Sequence, residues 1–439
     1  MMKYETYKPS EIDWLGNKPA HWSNNRIDWI IAFVRGNTGL KKDELLEVGE
    51  YVALQYGKTY KVDEVNNSFN YFVNSEYYKR NQTVKCGDTI LISTSETIED
   101  LGHSCFYNRA EIGLIGGEQI LLKPKTKLIN EKYLYYISKI FCGELRKYAT
   151  GLKVFRFNTD DLKKVFITLP PPEEQTAIAQ YLDAKTQAID KKINLLTKKA
   201  DYYKELRKCI INDAVCKGLD KNVKLKESGI DWIGKIPEHW KIKRVKDNFK
   251  LFTGNSISDK GLFERKENSI DYVSTKDIDF ETGKITYDNG VYIPKEDKSF
   301  KIAKVNSTLI CIEGANAGKK IGFTEKDVCF VNKLCAIKSR TKNNADKYFY
   351  YYTQSPLFEK QFFALLNGLI GGVSLNSIKY FDIISPTKEE QTAIANYLDE
   401  KTQKIDAVVS NIDKQIDRLK ELRKTLINDV VTGKIKVVE

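Results

Sequence analysis

The run Glu173-Glu174-Gln175-Thr176-Ala177-Ile178-Ala179 returns unchanged as Glu389-Glu390-Gln391-Thr392-Ala393-Ile394-Ala395, 216 residues later. Carried without a gap through 173–217 against 389–433, 26 of 45 positions are identical, including Lys204-Glu205-Leu206-Arg207-Lys208 against Lys420-Glu421-Leu422-Arg423-Lys424. A second pair of boxes keeps almost the same offset. Ile12-Asp13-Trp14-Leu15-Gly16, Pro19 and His21-Trp22 recur as Ile230-Asp231-Trp232-Ile233-Gly234, Pro237 and His239-Trp240. The period is far longer than the ~20–50 residues of a solenoid unit, so the chain is a tandem duplication of a whole unit. Its 439 residues suit two to four domains.

Between the boxes, 23–170 and 241–386 share only echoes. Asp88-Thr89-Ile90-Leu91-Ile92-Ser93 stands beside Asn306-Ser307-Thr308-Leu309-Ile310-Cys311, and Lys132-Tyr133-Leu134-Tyr135-Tyr136 beside Lys347-Tyr348-Phe349-Tyr350-Tyr351. Each unit therefore holds a variable globular part and a repeated part. Short apolar runs between Gly, Asn and Asp turn signals, closed by helical stretches near 131–149 and 346–366, make each variable part an α+β domain with a mixed or antiparallel sheet.

The repeated parts read as long helices. Pro172 suits a first helical position, with Glu173 and Glu174 at the positive end of the dipole, and no Gly or Pro follows until Gly218. Apolar residues at Leu182, Ile189, Ile193, Leu196, Ala200, Tyr203 and Leu206 fall mostly in steps of three and four. The second copy repeats the pattern at Leu398, Ile405, Val409, Ile412, Ile416, Leu419, Leu422 and Leu426. That is a coiled-coil stripe, and the obvious partner of each helix is the other. The expected segments are 1–171 and 218–387 for the globular domains, 172–217 and 388–439 for the helices.

The net charge is +12. The segments 173–217 and 389–433 carry 16 basic and 16 acidic residues between them, so the excess lies outside them, mostly in the variable domains. Whatever meets an anionic partner is the variable part. Eight cysteines without a Cys-x-x-Cys pair, with three histidines, favour neither a disulfide framework nor zinc. No apolar run reaches bilayer-spanning length and the N-terminus has no signal-peptide pattern, so a reduced, cytoplasmic protein is expected.

Catalytic motifs are missing. Gly314-Ala315-Asn316-Ala317-Gly318-Lys319-Lys320 is one residue short of a phosphate loop and lacks its Ser or Thr, so a tight turn presenting two lysines is expected. His21 and His239, repeated beside Trp22 and Trp240, read as packing residues. Candidates for contact with a nucleic acid are polar loops bearing bases and hydroxyls, since Lys and Arg neutralise phosphates or pair with guanine and Asn pairs with adenine. In the first domain these are Tyr56, Lys58 and Lys61; Thr94, Ser95, Glu96 and Thr97; and Lys153 with Arg156. In the second they are Ser274, Thr275 and Lys276; Asn316, Lys319 and Lys320; and Asn332 with Lys333.

Two diverged domains with near-identical long helices resemble the DNA-specificity subunits of type I restriction–modification systems. The residues that carry the resemblance are Leu169-Pro170-Pro171-Pro172-Glu173-Glu174-Gln175, Ser385-Pro386-Thr387-Lys388-Glu389-Glu390-Gln391, Asp231 to Trp240, and Val430-Val431-Thr432-Gly433-Lys434-Ile435. The resemblance implies two target recognition domains, each reading half of a split site. It also implies an antiparallel helix pair with pseudo-two-fold symmetry that separates them. A helix of about 40 residues is ~60 Å long, enough to hold two readers a turn or more of DNA apart. The pair would dock two methyltransferase subunits, to which restriction subunits add, with Gln175, Tyr181, Arg207, Gln391, Tyr397 and Arg423 as docking candidates. S-adenosylmethionine, ATP and magnesium would then belong to the partners and no cofactor to this chain. Two other readings remain: an enzyme with an unrecognised nuclease or methyltransferase site, and a DNA-binding scaffold unrelated to restriction.

Overall fold

The computed structural model describes residues 2–230, 233–258, 263, 264, 266–366 and 371–437; Asp231 and Trp232 of the repeated box lie outside them. The chain divides into two units, Met1–Leu195 with Ile416–Glu439, and Leu196–Gln415. The long helices, Pro172–Lys217 and Lys388–Val431, each contribute one stretch to either unit.

The first unit is α+β. Its five-stranded sheet runs Ile31–Arg35, Gln119–Pro124, Thr89–Ile92, Ser104–Tyr107, Glu64–Val65, antiparallel except for the last pair. Its four-stranded sheet runs Phe72–Val73, Tyr51–Leu54, Gly113–Ile115, Thr83–Val84, with the middle pair parallel. The second unit has Phe249–Thr253, Leu334–Ser339, Thr308–Cys311, Ile321–Phe323 in one sheet. Its other sheet runs Tyr292–Pro294, Ser269–Val273, Val328–Phe330, Ile302–Ala303, again with a parallel middle pair. The echoes in the sequence are thus equivalent elements. Thr89–Ile92 and Thr308–Cys311 are buried along their whole length, which is why they read as continuous β-rich runs.

Helix Glu131–Phe141 is capped by Asn130, whose side chain accepts from Lys132 N and Tyr133 N, and it buries Tyr133, Leu134 and Ile137 under the sheet. Helices Asp346–Thr353 and Pro356–Ala364 do this in the second unit, the latter capped by Ser355 with Pro356 in its first turn. The long helices run antiparallel within each unit. In the first, Ile178 and Leu182 share a core with Leu426, Ile427 and Val430; in the second, Ile211 and Val215 share one with Ile394 and Leu398.

The apolar stripe departs from its expected register near its end. Leu206 is 46% exposed and Leu422 51%. The inward positions are taken by Arg207 and Arg423, whose guanidinium groups pair with Asp406 and Asp190 of the other long helix at 3.0 Å each. The stripe in fact runs through Ala200, Tyr203, Arg207 and Ile211, in steps of three, four and four with a paired charge at one of them. Among the described residues no helix is long and apolar enough to cross a membrane.

Candidate nucleic-acid interface

The repeated residues form one bracket, built twice. Gln175 Oε1 accepts from Asn130 N at 2.8 Å, and its amide nitrogen donates to the carbonyls of Leu128 and Pro170 at 2.9 Å each. Gln391 does the same with Ala345 N at 2.8 Å and the Pro386 carbonyl at 3.0 Å. His21 meets Glu174 at 2.9 Å and His239 meets Glu390 at 2.8 Å, so the two repeated boxes belong together because one rests on the other. Tyr136 donates to Asp183 at 2.6 Å and Tyr351 to Asp399 at 2.7 Å. Each bracket fixes a globular domain to a long helix through buried polar groups with partners.

This placement shows how the docking candidates are held within each unit. Gln175 and Gln391 are buried with both ends of their amides used inside the unit. Arg207, bonded to Asp406 and at 3.1 Å to Gln354, and Arg423, paired with Asp190 and at 2.9 Å with Asp63, are inter-helix locks. Tyr181 and Tyr397 are half-buried, packed on the two main cores. Sequence identity between the copies marks all six without separating a structural tether from a free surface.

The variable loops converge at one end of each sheet system. In the first unit Leu54 pairs with Ile115 in parallel, Ile92 with Gln119 and Arg35 with Ile120 in antiparallel. The chain therefore leaves these strands at a common edge, through 36–45, 55–61, 93–103 and 116–118. In the second unit Val273 with Phe330, Cys311 with Leu334 and Thr253 with Cys335 define the same edge, from which 254–258, 274–277, 312–320 and 331–333 emerge. Gly36 and Gly254 open it in the two units. A Cβ on either would lie 1.8 Å from a carbonyl oxygen, of Gly116 or Phe330, so the crossing backbones require glycine.

All the expected DNA-contact residues lie at or beside these edges, with different roles. In the first unit Lys61, Glu96, Thr97, Lys153 and Arg156 are exposed. Tyr56 is half-buried beside Tyr60, and Lys58 stands 4.3 Å over the Tyr71 ring. Thr94 and Ser95 build their loop: both are buried, Thr94 donating to Glu118 and Ser95 Oγ accepting from Thr97 N at 3.2 Å. Their strand pairs with Phe155–Arg156, which brings the loop containing Lys153 to the same edge.

In the second unit Lys276, Asn316, Lys319, Asn332 and Lys333 are exposed. Ser274 caps its own turn on Asp277 at 2.6 Å, and Lys320 is turned inward, donating to the Thr275 carbonyl at 3.0 Å. Gly314 and Gly318 adopt positive φ, and Ala317 N and Lys319 N bond back to Gly314 and Asn316, so 314–320 is a tight turn presenting Lys319. Asn37, Lys41 and Lys42, outside the sequence-based candidates, are exposed on the first loop of this kind in the first unit. Their segment, Gly36-Asn37-Thr38-Gly39-Leu40-Lys41-Lys42, has the same polar, glycine-rich, basic composition that marks the other loops.

Behind the first edge, Asp63 pairs with Lys139 at 2.5 Å and with Arg423. Burial pushes its carboxyl up, but Lys139 and Arg423 outweigh this and hold it down at about 2. His103, packed nearby and bonded to the Val62 carbonyl at 2.9 Å, is held below its ordinary value by burial and by Lys139.

Two α+β domains on paired helices each gather basic polar loops at one edge. The family described as the type I restriction modification DNA specificity domain matches residues 19–198 and again 237–418. The chain belongs to this family, as a non-catalytic specificity subunit with two copies of the domain. It is 25% identical to a putative type I restriction enzyme MjaX specificity subunit of Methanocaldococcus jannaschii, over 99% of this chain and 98% of that one. It is 23% identical to the MjaVIII specificity subunit of the same organism, over 90% and 93%. Its fold is similar to a chain solved in work on complex assembly and conformational transition of the type I R-M system, with TM-score 0.68, 14% identity and coverage of 95% and 99%.

Proposed function

We propose that the loop-bearing edge of each unit reads one half of a split double-stranded DNA site, and that the long helices hold methyltransferase and restriction subunits beside it. The observation that carries this reading is that equivalent frames, fixed by equivalent brackets, bear diverged polar loops at one edge. A reader whose frame stays alike and whose loops differ can change what it reads without changing how it is held. The docking part rests on Leu195, Tyr202, Leu206 and Leu422, exposed apolar side chains on the long helices. Their removal from water by a partner is favourable. S-adenosylmethionine, ATP and magnesium then act in the partner subunits, in the cytoplasm.

Exchanging 241–386 for the same segment of a relative tests the reading, with methylation sequencing of a host carrying the full system. One half of the recognised sequence should change and the other stay. If both change, the two edges are not independent readers. The chain alone, given S-adenosylmethionine and DNA, should transfer no methyl group until its modification subunit is added.

A further inference from the structure

Leu152 is 99% exposed, the barest large apolar side chain among the described residues. It does not dangle. Thr150 and Arg156 exchange both backbone hydrogen bonds, each at 2.9 Å, closing a short hairpin. Gly151 turns it at φ +114°, where a Cβ would lie 2.0 Å from the Val154 carbonyl oxygen. The base of the hairpin is joined to the neighbouring loop. Arg156 pairs with Thr94 and Phe155 with Ser95, while Phe157 N donates to the Ser93 carbonyl at 3.2 Å. A braced arm therefore pushes a leucine out from the edge assigned to DNA. Two cations follow it on the same hairpin: Lys153 next to the tip and Arg156 at the base are exposed, and neither has an ion pair among the described residues.

An apolar tip beside two free cations has a counterpart in a duplex, where phosphates border the groove and the apolar base faces lie stacked behind its polar edges, reached only where a step is opened. We propose that Leu152 is a wedge that enters a base step within the half-site read by the first unit. It unstacks that step while Lys153 and Arg156 hold neighbouring phosphates. This inference rests on the edge being the DNA surface. Leucine is of a size and shape that proteins use to part base pairs, and opening one step lets bent DNA follow more of the protein. Selectivity follows without a hydrogen bond, because pyrimidine–purine steps open more readily than others.

The test uses the complex assembled with its modification subunit, and duplexes carrying 2-aminopurine at each purine of the first half-site in turn. With the unaltered chain, fluorescence should rise severalfold at one step. Leu152→Ala should abolish that rise at DNA saturation, and Leu152→Phe should keep it. Both variants should melt as the parent does, since the side chain stands in solvent. A rise that survives in Leu152→Ala, or none in the parent, overturns the wedge. The double change Lys153→Ala with Arg156→Ala separates this from failure of the DNA edge itself. If the edge meets DNA, the salt slope of binding falls by roughly 2, near 0.9 for each phosphate no longer neutralised. An unchanged slope removes the hairpin from DNA, and the wedge with it.

Discussion

Arg207 and Arg423 hold the same place in the two copies of the helix, and each pairs at 3.0 Å with the equivalent aspartate, Asp406 or Asp190. The globular domains then part ways. The first adds a second carboxylate, Asp63, at 2.9 Å; the second offers the neutral Gln354, at 3.1 Å. In the first unit Arg423 and Lys139 hold Asp63 well below the usual carboxylate range, whereas in the second burial outweighs Arg207 and leaves Asp406 raised. The helix sequences stayed alike while the domain face against them diverged. Divergence is therefore not confined to the loop-bearing edge; it reaches the place where each domain is seated.

The largest effect expected from this difference is on stability. Arg423→Ala leaves Asp190 without its cation and Asp63 with Lys139 alone, and because both carboxylates are about half exposed the loss is about 1–2 kcal/mol. Arg207→Ala leaves one carboxylate and an amide that can be rehydrated, and should cost about half as much. Urea denaturation, with hydrogen exchange to show which unit opens, measures both. Asp63→Asn should bring the cost of Arg423→Ala down to that of Arg207→Ala. If the two arginine changes cost the same with Asp63 present, the second carboxylate contributes nothing and the asymmetry is only geometric.

Acid should separate the units next. Asp63 is depressed from 3.8 to about 2, so its contribution is fully present above about 4 and lost as pH falls towards 2. His103 is depressed from 6.5, so the unfolded chain binds its proton first and stability declines as pH falls below 6.5. Both belong to the first unit, and the other two histidines, His21 and His239, occupy equivalent brackets in the two units. Hydrogen exchange between pH 7.5 and 5.5 should show the first unit loosening more than the second. His103→Gln should remove that part of the difference.

Much of this frame is legible in the sequence. The 216-residue repeat marks the brackets, Pro172 and Gly218 bound the first helix, and the pairs 88–93 with 306–311 and 132–136 with 347–351 are equivalent elements. Less legible is whatever depends on distant partners. Leu206 and Arg207 are adjacent, and only the position of Asp406 decides which of them faces inward. Thr94 and Ser95 look like DNA-facing residues until Glu118 and Phe155 are found beside them. The common edge itself comes from parallel pairing of strands some 60 residues apart, 51–54 with 113–115, which no local pattern encodes.

The smallest expected effects lie at the reading edges, where single lysines compete with many other charges. Lys61 and Lys319 are both exposed, one on each edge, and replacing either by alanine should weaken binding about equally across DNA sequences. The salt slope should fall by roughly 0.9 for each phosphate that loses its lysine. Lys320 is the informative neighbour. Its ammonium is held by the Thr275 carbonyl at 3.0 Å, linking two loops of the second edge, so it is not free to neutralise a phosphate. Lys320→Ala should leave the slope nearly unchanged and instead relax base preference within the second half-site, because the loops carrying Lys276 and Asn316 lose their mutual register. Binding titrations at several salt concentrations, against duplexes varied at one position at a time, read both quantities. A slope that falls as much for Lys320 as for Lys319 would mean that the inward bond breaks on DNA and that both lysines neutralise phosphates.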